Sequence, residues 1–251
     1  MAKKTANKKI KKARYDVVCG VHSILELLRA KRRKLYSLYT TKPLPKTFDR
    51  IKKYLPPRLN IQYVAKHILD RMAGTKEHRG LVALVSEYKF CKKMFDPQKK
   101  QFILLLDSIQ DVRNLGGILR SAYCTGVDGV VLCKKGAATV NPIVHKTSAG
   151  LSEHLDIYIA SSVQNAVNEL KAAGYTLYMA VLDGKDATKV SYQEPVCLVV
   201  GNEAVGISKS VQKFGKPITL PQVESEVSYN ASVAAGILLF LVSQKISKIG
   251  D

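Results

Sequence analysis

No stretch of this 251-residue sequence approaches the roughly 20 consecutive apolar residues that a membrane-crossing helix needs. The longest candidate, AGILLFLV at 235–242, is far too short and is bounded by polar residues. The first residues, MAKKTANKKIKKAR, contain no apolar core segment, so a secretory signal is not expected. A mitochondrial presequence is not expected either, because the basic residues are almost all Lys and Ser is scarce. Cysteine is sparse: Cys19, Cys91, Cys124, Cys133 and Cys197 are odd in number, scattered, and never spaced as CxxC. That argues against both a disulfide framework and a metal site, and suits reduced thiols in a cytoplasmic protein. No GxGxxG follows an apolar run, so the dinucleotide-binding fingerprint is absent. Internal repeats are also missing.

What the sequence has in excess is positive charge, a net +20 distributed very unevenly. Residues 1–100 hold 27 Lys or Arg against 7 Asp or Glu, whereas residues 101–251 hold 13 of each sign. Such asymmetry is expected of a polyanion-binding module joined to a neutral one. A solubilising Lys tail is the plainer reading, but the excess continues through Lys31-Arg32-Arg33-Lys34, Lys52-Lys53 and Lys99-Lys100.

Periodicity divides the chain. Residues 1–14 carry seven basic and no acidic residues, and a disordered basic tail is expected there. Val21, Ile24, Leu25 and Leu28 recur at helical spacing to about Ala30. The runs at 35–40, 60–64 and 80–85 read as strands separated by helical stretches near 46–55 and 65–73. This is a small α/β domain over 15–88, followed by a charged, proline-containing linker at 89–100. The remainder, 101–251, alternates apolar strands (102–107, 129–133, 156–159, 175–182, 196–201, 217–220) with helices from Asn114, after Pro142, over 161–173 and from about Ser228. Apolar strands alternating with helices predict a parallel sheet covered on both faces.

Three segments of this second half carry the chemistry, each an apolar strand that ends in a polar or glycine-rich turn, where ligands bind in open α/β sheets. The first, LDSIQDVRNLGGILRSA (106–122), holds Asn114, Gly116-Gly117 and Arg120. LVVGNEAVGIS (198–208) holds Gly201, Asn202 and Glu203. The last, ITLPQVESEVSYNASVAAG (218–236), holds Leu220, Ser228, Tyr229 and Asn230. Taken singly they admit plainer readings: Asn114 as a helix N-cap, Gly116-Gly117 as a tight turn, Glu203 as a solvated carboxylate, Ser228 and Asn230 as capping residues.

In order and combination, NLGGILRSA, VVGNEAVGIS and ITLP with SYNASVA resemble the three signature motifs of the SpoU branch of the SPOUT methyltransferases. KTSAGLSEHL (146–155) resembles that family's segment between the first two motifs. Upstream, VVCGVHSILELL (17–28) and HRGLVALV (78–85) resemble the ribosomal-protein-like RNA-binding domain of its 23S ribosomal-RNA guanosine 2′-O-methyltransferases.

That resemblance implies a catalytic domain ending in a deep trefoil knot, an exception to ordinary chain topology. It further implies S-adenosylmethionine as cofactor, bound by Gly201, Asn202, Leu220, Ser228, Tyr229 and Asn230. RNA is the implied substrate, and the active site lies at the interface of a homodimer, to which the nearly all-apolar last helix contributes. The family assigns its motif-one Arg, here Arg120, to activation of the ribose 2′-hydroxyl. A guanidinium is a poor base, so orientation of a phosphate and stabilisation of the developing alkoxide suit it better. Glu203 is expected to orient Arg120, while Asn114 and Asn230 hold substrate or cofactor groups. Three positions depart from the family pattern: Ala204 replaces a usual Gly, and Tyr229 and Ala231 replace Leu and Val. A transfer-RNA ribose methyltransferase, or a non-catalytic RNA-binding or ribosome-assembly protein on the same fold, are the other readings.

Overall fold

Two β-sheets organise the chain in a computed structural model that describes residues 15–224 and 228–250. The tail expected at 1–14 lies outside the described residues. Strands β1 (Tyr15–Cys19), β2 (Leu35–Thr40), β3 (Asn60–Tyr63) and β4 (Leu81–Ser86) form the first sheet in the order β1-β4-β2-β3. Side chains alternate along β4. Leu81, Ala83 and Val85 therefore meet Val21, Ile24 and Leu27 of helix α1 (Val21–Ala30) on one face. Val82 meets Leu69 and Ala73 of a later helix, Lys66–Ala73, on the other. The stretch near 46–55 yields only a 3-10 turn and the short helix α2 (Asp49–Lys52), ending before Pro56-Pro57; Lys66–Ala73 is α3. Strand β1 has no counterpart among the expected strands, because five residues containing Asp16 give little alternation signal beside a basic tail.

The second sheet contains β5 (Phe102–Leu106), β6 (Gly129–Cys133), β7 (Ile157–Ala160), β8 (Thr176–Asp186), β9 (Val196–Val200) and β10 (Lys216–Thr219). Its order is β10-β8-β9-β5-β6-β7, and every pairing is parallel, as the apolar strands predict. Every residue of β5, β6 and β9 is buried, since helices cover both faces. Helices α4 (Val112–Cys124), α5 (Pro142–Thr147) and α8 (Ala231–Lys245) pack on one face through Leu115, Ile118, Val144, Leu238 and Val242. The other face receives α6 (Val163–Ala172) and the short α7 (Lys209–Gln212) through Val167, Leu170 and Val211. From β5 the chain steps outward through β6 and β7, then returns to the other side of β5 as β8 and β9. The order therefore reverses between β5 and β9, whose last residues Leu106 and Val200 are paired. Ligand sites of open α/β sheets form at such a reversal. Helix α8 returns to pack against α4, consistent with the knotted path that the resemblance implies.

Three local expectations change. Helix α4 begins at Val112 and is capped by Asp111, whose side chain accepts from the amides of Arg113 and Asn114, so Asn114 is not the cap. Gly116 and Gly117 lie inside that helix rather than in a turn. A Cβ on Gly116 would stand 2.6 Å from Cβ of Thr147, so this glycine lets α4 and α5 touch. Helix α8 begins at Ala231 behind an Asn230 cap, three residues later than Ser228.

The two sheets meet at a buried polar junction. Residues 89–100 pack on the second sheet: the Cys91 amide donates to Ile157 O at 2.7 Å, and Phe95 is buried with Ile103 and Val131. Arg33, 1% exposed at its side chain, donates to Asp16 Oδ2 at 2.7 Å, Glu153 Oε1 at 2.9 Å and Ser86 O at 2.8 Å. It also lies 3.2 Å from His145 Nε2. A guanidinium only donates, so Nε2 carries a lone pair and Nδ1 the proton, directed at Ser152 Oγ 2.9 Å away. Burial, reinforced by Arg33, pushes the His145 pKa down to about 3. The Tyr88 hydroxyl donates to Ser152 O, His154 reaches Glu26, and Arg32 reaches Asp156. The segment KTSAGLSEHL is thus where the first sheet docks.

Candidate active site

The carboxyl ends of β5 and β9 release two polar loops side by side, and a chain of side-chain hydrogen bonds ties them to the start of α8. Glu203, just past β9, accepts from Asn114 Nδ2 at 2.9 Å through Oε1. Asn114 Oδ1 accepts in turn from Asn230 Nδ2 at 3.2 Å. Asn230 Oδ1 caps α8 by accepting from the Ser232 amide. The three motifs therefore converge, although they are distant in sequence.

The loop after β9 is built by Asn202 and Gly206. Asn202 Nδ2 donates to Ser108 O at 2.8 Å, and its Oδ1 accepts from the Ala204 amide at 2.9 Å. The backbones of Asn202 and Gly206 bond each other in both directions, closing a tight turn. The left-handed conformation falls on Gly206, at φ 68°, so Ala204 needs no glycine. Gly201 is the position without freedom: a Cβ there would lie 2.2 Å from Gly206 C and Ile207 N.

Beside this loop opens a cavity of about 790 Å³ between the ends of β8, β9 and β10 and the start of α8. Gly201, Asn202, Glu203, Leu220, Ser228 and Tyr229 all line it, and Ile218, Ala231, Ala234 and Leu238 give it an apolar wall. Asn230 is not among its lining residues; it faces Asn114 instead. Neither Asn114 nor Arg120 lines it.

Arg120 is where the expectation from sequence needs correction. Glu203 engages Asn114 and not Arg120, and among the described residues Arg120 has no hydrogen bond or ion pair. It is exposed on α4, six residues beyond Asn114, which at about 100° per residue turns it to another face of the helix.

Asp107 was not anticipated as part of the site. Its buried carboxylate accepts from the Ser208 amide at 2.8 Å and from Ser108 Oγ at 3.0 Å, clamping the ends of the β5 and β9 loops together. A lone acid closing the apolar run FILLLD was the available signal. Among the described residues no group of three or more His, Cys, Asp or Glu could hold a metal ion, and no helix is long and apolar enough to cross a membrane.

The chain is similar in sequence and in fold to known proteins. Residues 101–240 match the SpoU rRNA Methylase family, and residues 17–91 match an RNA 2′-O ribose methyltransferase substrate-binding domain. YacO of Bacillus subtilis (strain 168), assigned to the TrmH family of tRNA/rRNA methyltransferases, is 31% identical over 252 residues, covering 94% of this chain and 98% of its own. A TrmH-family relative from Staphylococcus haemolyticus (strain JCSC1435) is 32% identical over 202 residues, covering 77% of this chain and 81% of its own. Among solved structures, an RNA 2′-O ribose methyltransferase superposes with a TM-score of 0.82 at 21% identity, covering 96% of this chain and 93% of its own. The SpoU methyltransferase AviRb from Streptomyces viridochromogenes, crystallised with AdoMet, gives 0.79 at 22%, covering 97% and 94%. At such identities the structural likeness is one of fold.

Proposed function

The chain belongs to the SpoU rRNA methylase family, and from that membership we propose that it methylates the 2′-hydroxyl of a ribose in ribosomal RNA, a guanosine of 23S RNA being the target. S-adenosylmethionine is the cofactor; when bound it supplies an electrophilic methyl group on a sulfonium. The cavity suits it: about 790 Å³ is within the range of roughly 300–1,000 Å³ usual for small-molecule sites. Its apolar wall fits a purine, and the backbone of the Gly201–Gly206 loop offers polar groups at the rim.

The single observation that carries this reading is the Glu203–Asn114–Asn230 chain, which fixes all three motifs around one edge of that cavity. In-line displacement at a weakly acidic alcohol depends mainly on positioning. Glu203, held beside Asn202, sets the Asn114 amide; Asn114 sets Asn230 at the mouth of α8. Arg120 orients a substrate phosphate and stabilises negative charge on the ribose oxygen, since it cannot readily accept a proton.

Arg120 lies outside the lining of the cavity of its own chain, which favours a homodimer that brings the acceptor side together between two copies. Helix α8 supports this reading with an exposed apolar row, Val233 (49%), Ile237 (38%) and Phe240 (51%), at helical spacing. The full-length protein should sediment as a dimer, and Ile237→Lys with Phe240→Glu should yield a monomer without methyl transfer. Mapping ribose 2′-O-methyl sites in RNA from cells with and without the gene tests the target. Loss of one 23S guanosine site is expected; loss confined to transfer RNA would favour the other substrate, and no loss would favour a non-catalytic role. The separate first domain over 15–88, with its HRGLVALV segment, favours ribosomal RNA. A cytoplasmic location goes with that substrate.

A further inference from the structure

We propose that the open end of the first sheet is a stacking platform for an unpaired RNA base, formed by Tyr15 and Tyr36 with Lys34 beside them. Alternation along β1 puts Tyr15, Val17 and Cys19 on one face. Val17 and Cys19 are packed with α3, but that helix reaches only one end of the face, and Tyr15 beyond it is 52% exposed. Tyr15 is paired with Ser86 of β4, a residue too small to fill the surface. On the far side of β4, strand β2 is irregular between Leu35 and Ser37, and such bulges re-aim a side chain. Tyr36 accordingly leans across, its ring 5.0 Å from that of Tyr15 at 82°, and stays 39% exposed. Lys34 Nζ stands 5.3 Å from the Tyr36 ring centre.

Two tyrosines that stay about half exposed among the described residues, rather than buried in the core below the sheet, leave ring area that a base can cover. Aromatic side chains on a four-stranded sheet bind splayed-out single-stranded bases in just this way, while neighbouring cations take the phosphates. Charge favours nucleic acid over an apolar partner. The basic segment 1–14 joins the chain directly at Tyr15, and Lys31 and Lys34 follow α1. This inference rests on the reading of the chain as an RNA-modifying enzyme and adds the part of the substrate that the first sheet recognises: a single-stranded nucleotide rather than duplex.

The chain contains no Trp, so Tyr36→Trp introduces a unique fluorophore into the full-length protein. Titration with a single-stranded oligouridylate should quench it, and a duplex of equal length should bind at least about 10-fold more weakly. In that background Tyr15→Ala should weaken oligouridylate binding by roughly 10-fold or more, while Tyr15→Phe should hold it within about 2-fold. The slope of log affinity against log salt should stay unchanged, because every phosphate-binding cation is still in place. In methyl transfer, Tyr15→Ala with Tyr36→Ala should raise KM for RNA and leave kcat alone. Absence of quenching, equal binding of duplex, equal binding of a polyglutamate peptide, or an unchanged affinity in Tyr15→Ala would each overturn the platform. Quenching by oligouridylate in a protein that methylates no RNA would leave the platform standing and remove the enzymatic reading instead.

Discussion

Two polar clusters hold this chain together, and they are built from similar side chains to opposite ends. The Arg33 cluster joins Asp16, Ser86, His145 and Glu153 where the two sheets meet; the Glu203–Asn114–Asn230 chain joins the three motifs at the reversal of the second sheet. Arg33, His145 and Glu153 are buried, and Arg33 directs its donors at four partners. Glu203 and Asn230 are exposed. A cluster with a buried centre whose guanidinium donors are all taken has little left to offer a ligand and serves to fix two bodies. A wet cluster with spare capacity at the rim of a cavity contributes little to stability and can exchange partners with substrate. Burial, more than residue type, separates the structural device from the chemical one.

That contrast breaks most visibly at Arg33. Arg33→Met strands the buried Glu153 carboxylate and should cost about 3–5 kcal/mol, seen as a large fall in melting temperature. Adding Glu153→Leu should restore part of it. Wild-type melting in the single variant would mean that the centre of the junction is not buried. Glu203→Ala should show the opposite profile. Surface changes shift stability by no more than about 0.5 kcal/mol, whereas misplacing Asn114 should lower turnover by about 10- to 100-fold. A large loss of stability would make this cluster structural too.

Acid should separate the clusters next. The His145 pKa falls from its usual value near 6.5 to about 3 in the fold, so the unfolded chain binds this proton first. The contribution of neutral His145 is complete above about pH 6.5 and is lost progressively as the pH falls toward 3. Melting temperature followed between pH 7 and 4 should decline less steeply in His145→Asn than in the wild type; parallel curves would contradict the depressed pKa of the buried, neutral His145. The smallest effect concerns charge. Converting Lys42, Lys46, Lys52 and Lys53 to Gln should flatten the salt dependence of RNA binding, by up to about 0.7–0.9 in slope for each phosphate no longer neutralised. The same change at Lys134, Lys135, Lys209 and Lys213, equally exposed but on the second sheet's half, should leave it nearly unchanged.

What could be read from the sequence followed the length scale of each signal. The parallel sheet was legible because FILLL, GVVLC and VCLVV are apolar throughout, which only strands buried on both faces require. Glu203 stood out because it lies just past such a strand, whereas Gly201 and Leu220 were marked by the resemblance of their motifs to the family's. The bond from Asn114 to Glu203 was not, since it spans 89 residues and depends on where α4 begins. Taking Asn114 as a start point hid Asp111 as the cap of α4. The junction was hidden as well: Ser152, Glu153 and His154 in KTSAGLSEHL look like solvated loop residues until Tyr88, Arg33 and Glu26 of α1 are laid on them. Tyr15 fell beside a strand too short to announce itself.

Single-turnover transfer of labelled methyl from S-adenosylmethionine to ribosomal RNA, by wild type and by Arg120→Ala, tests the catalytic reading most directly. The product should be a ribose 2′-O-methyl nucleotide that resists alkaline cleavage. Arg120→Ala should lower the rate by roughly 10²-fold or more, the scale of one lost preorganised donor, with cofactor affinity and melting temperature nearly unchanged. Label in a base, or transfer at the wild-type rate by a folded Arg120→Ala protein, would contradict the assignment.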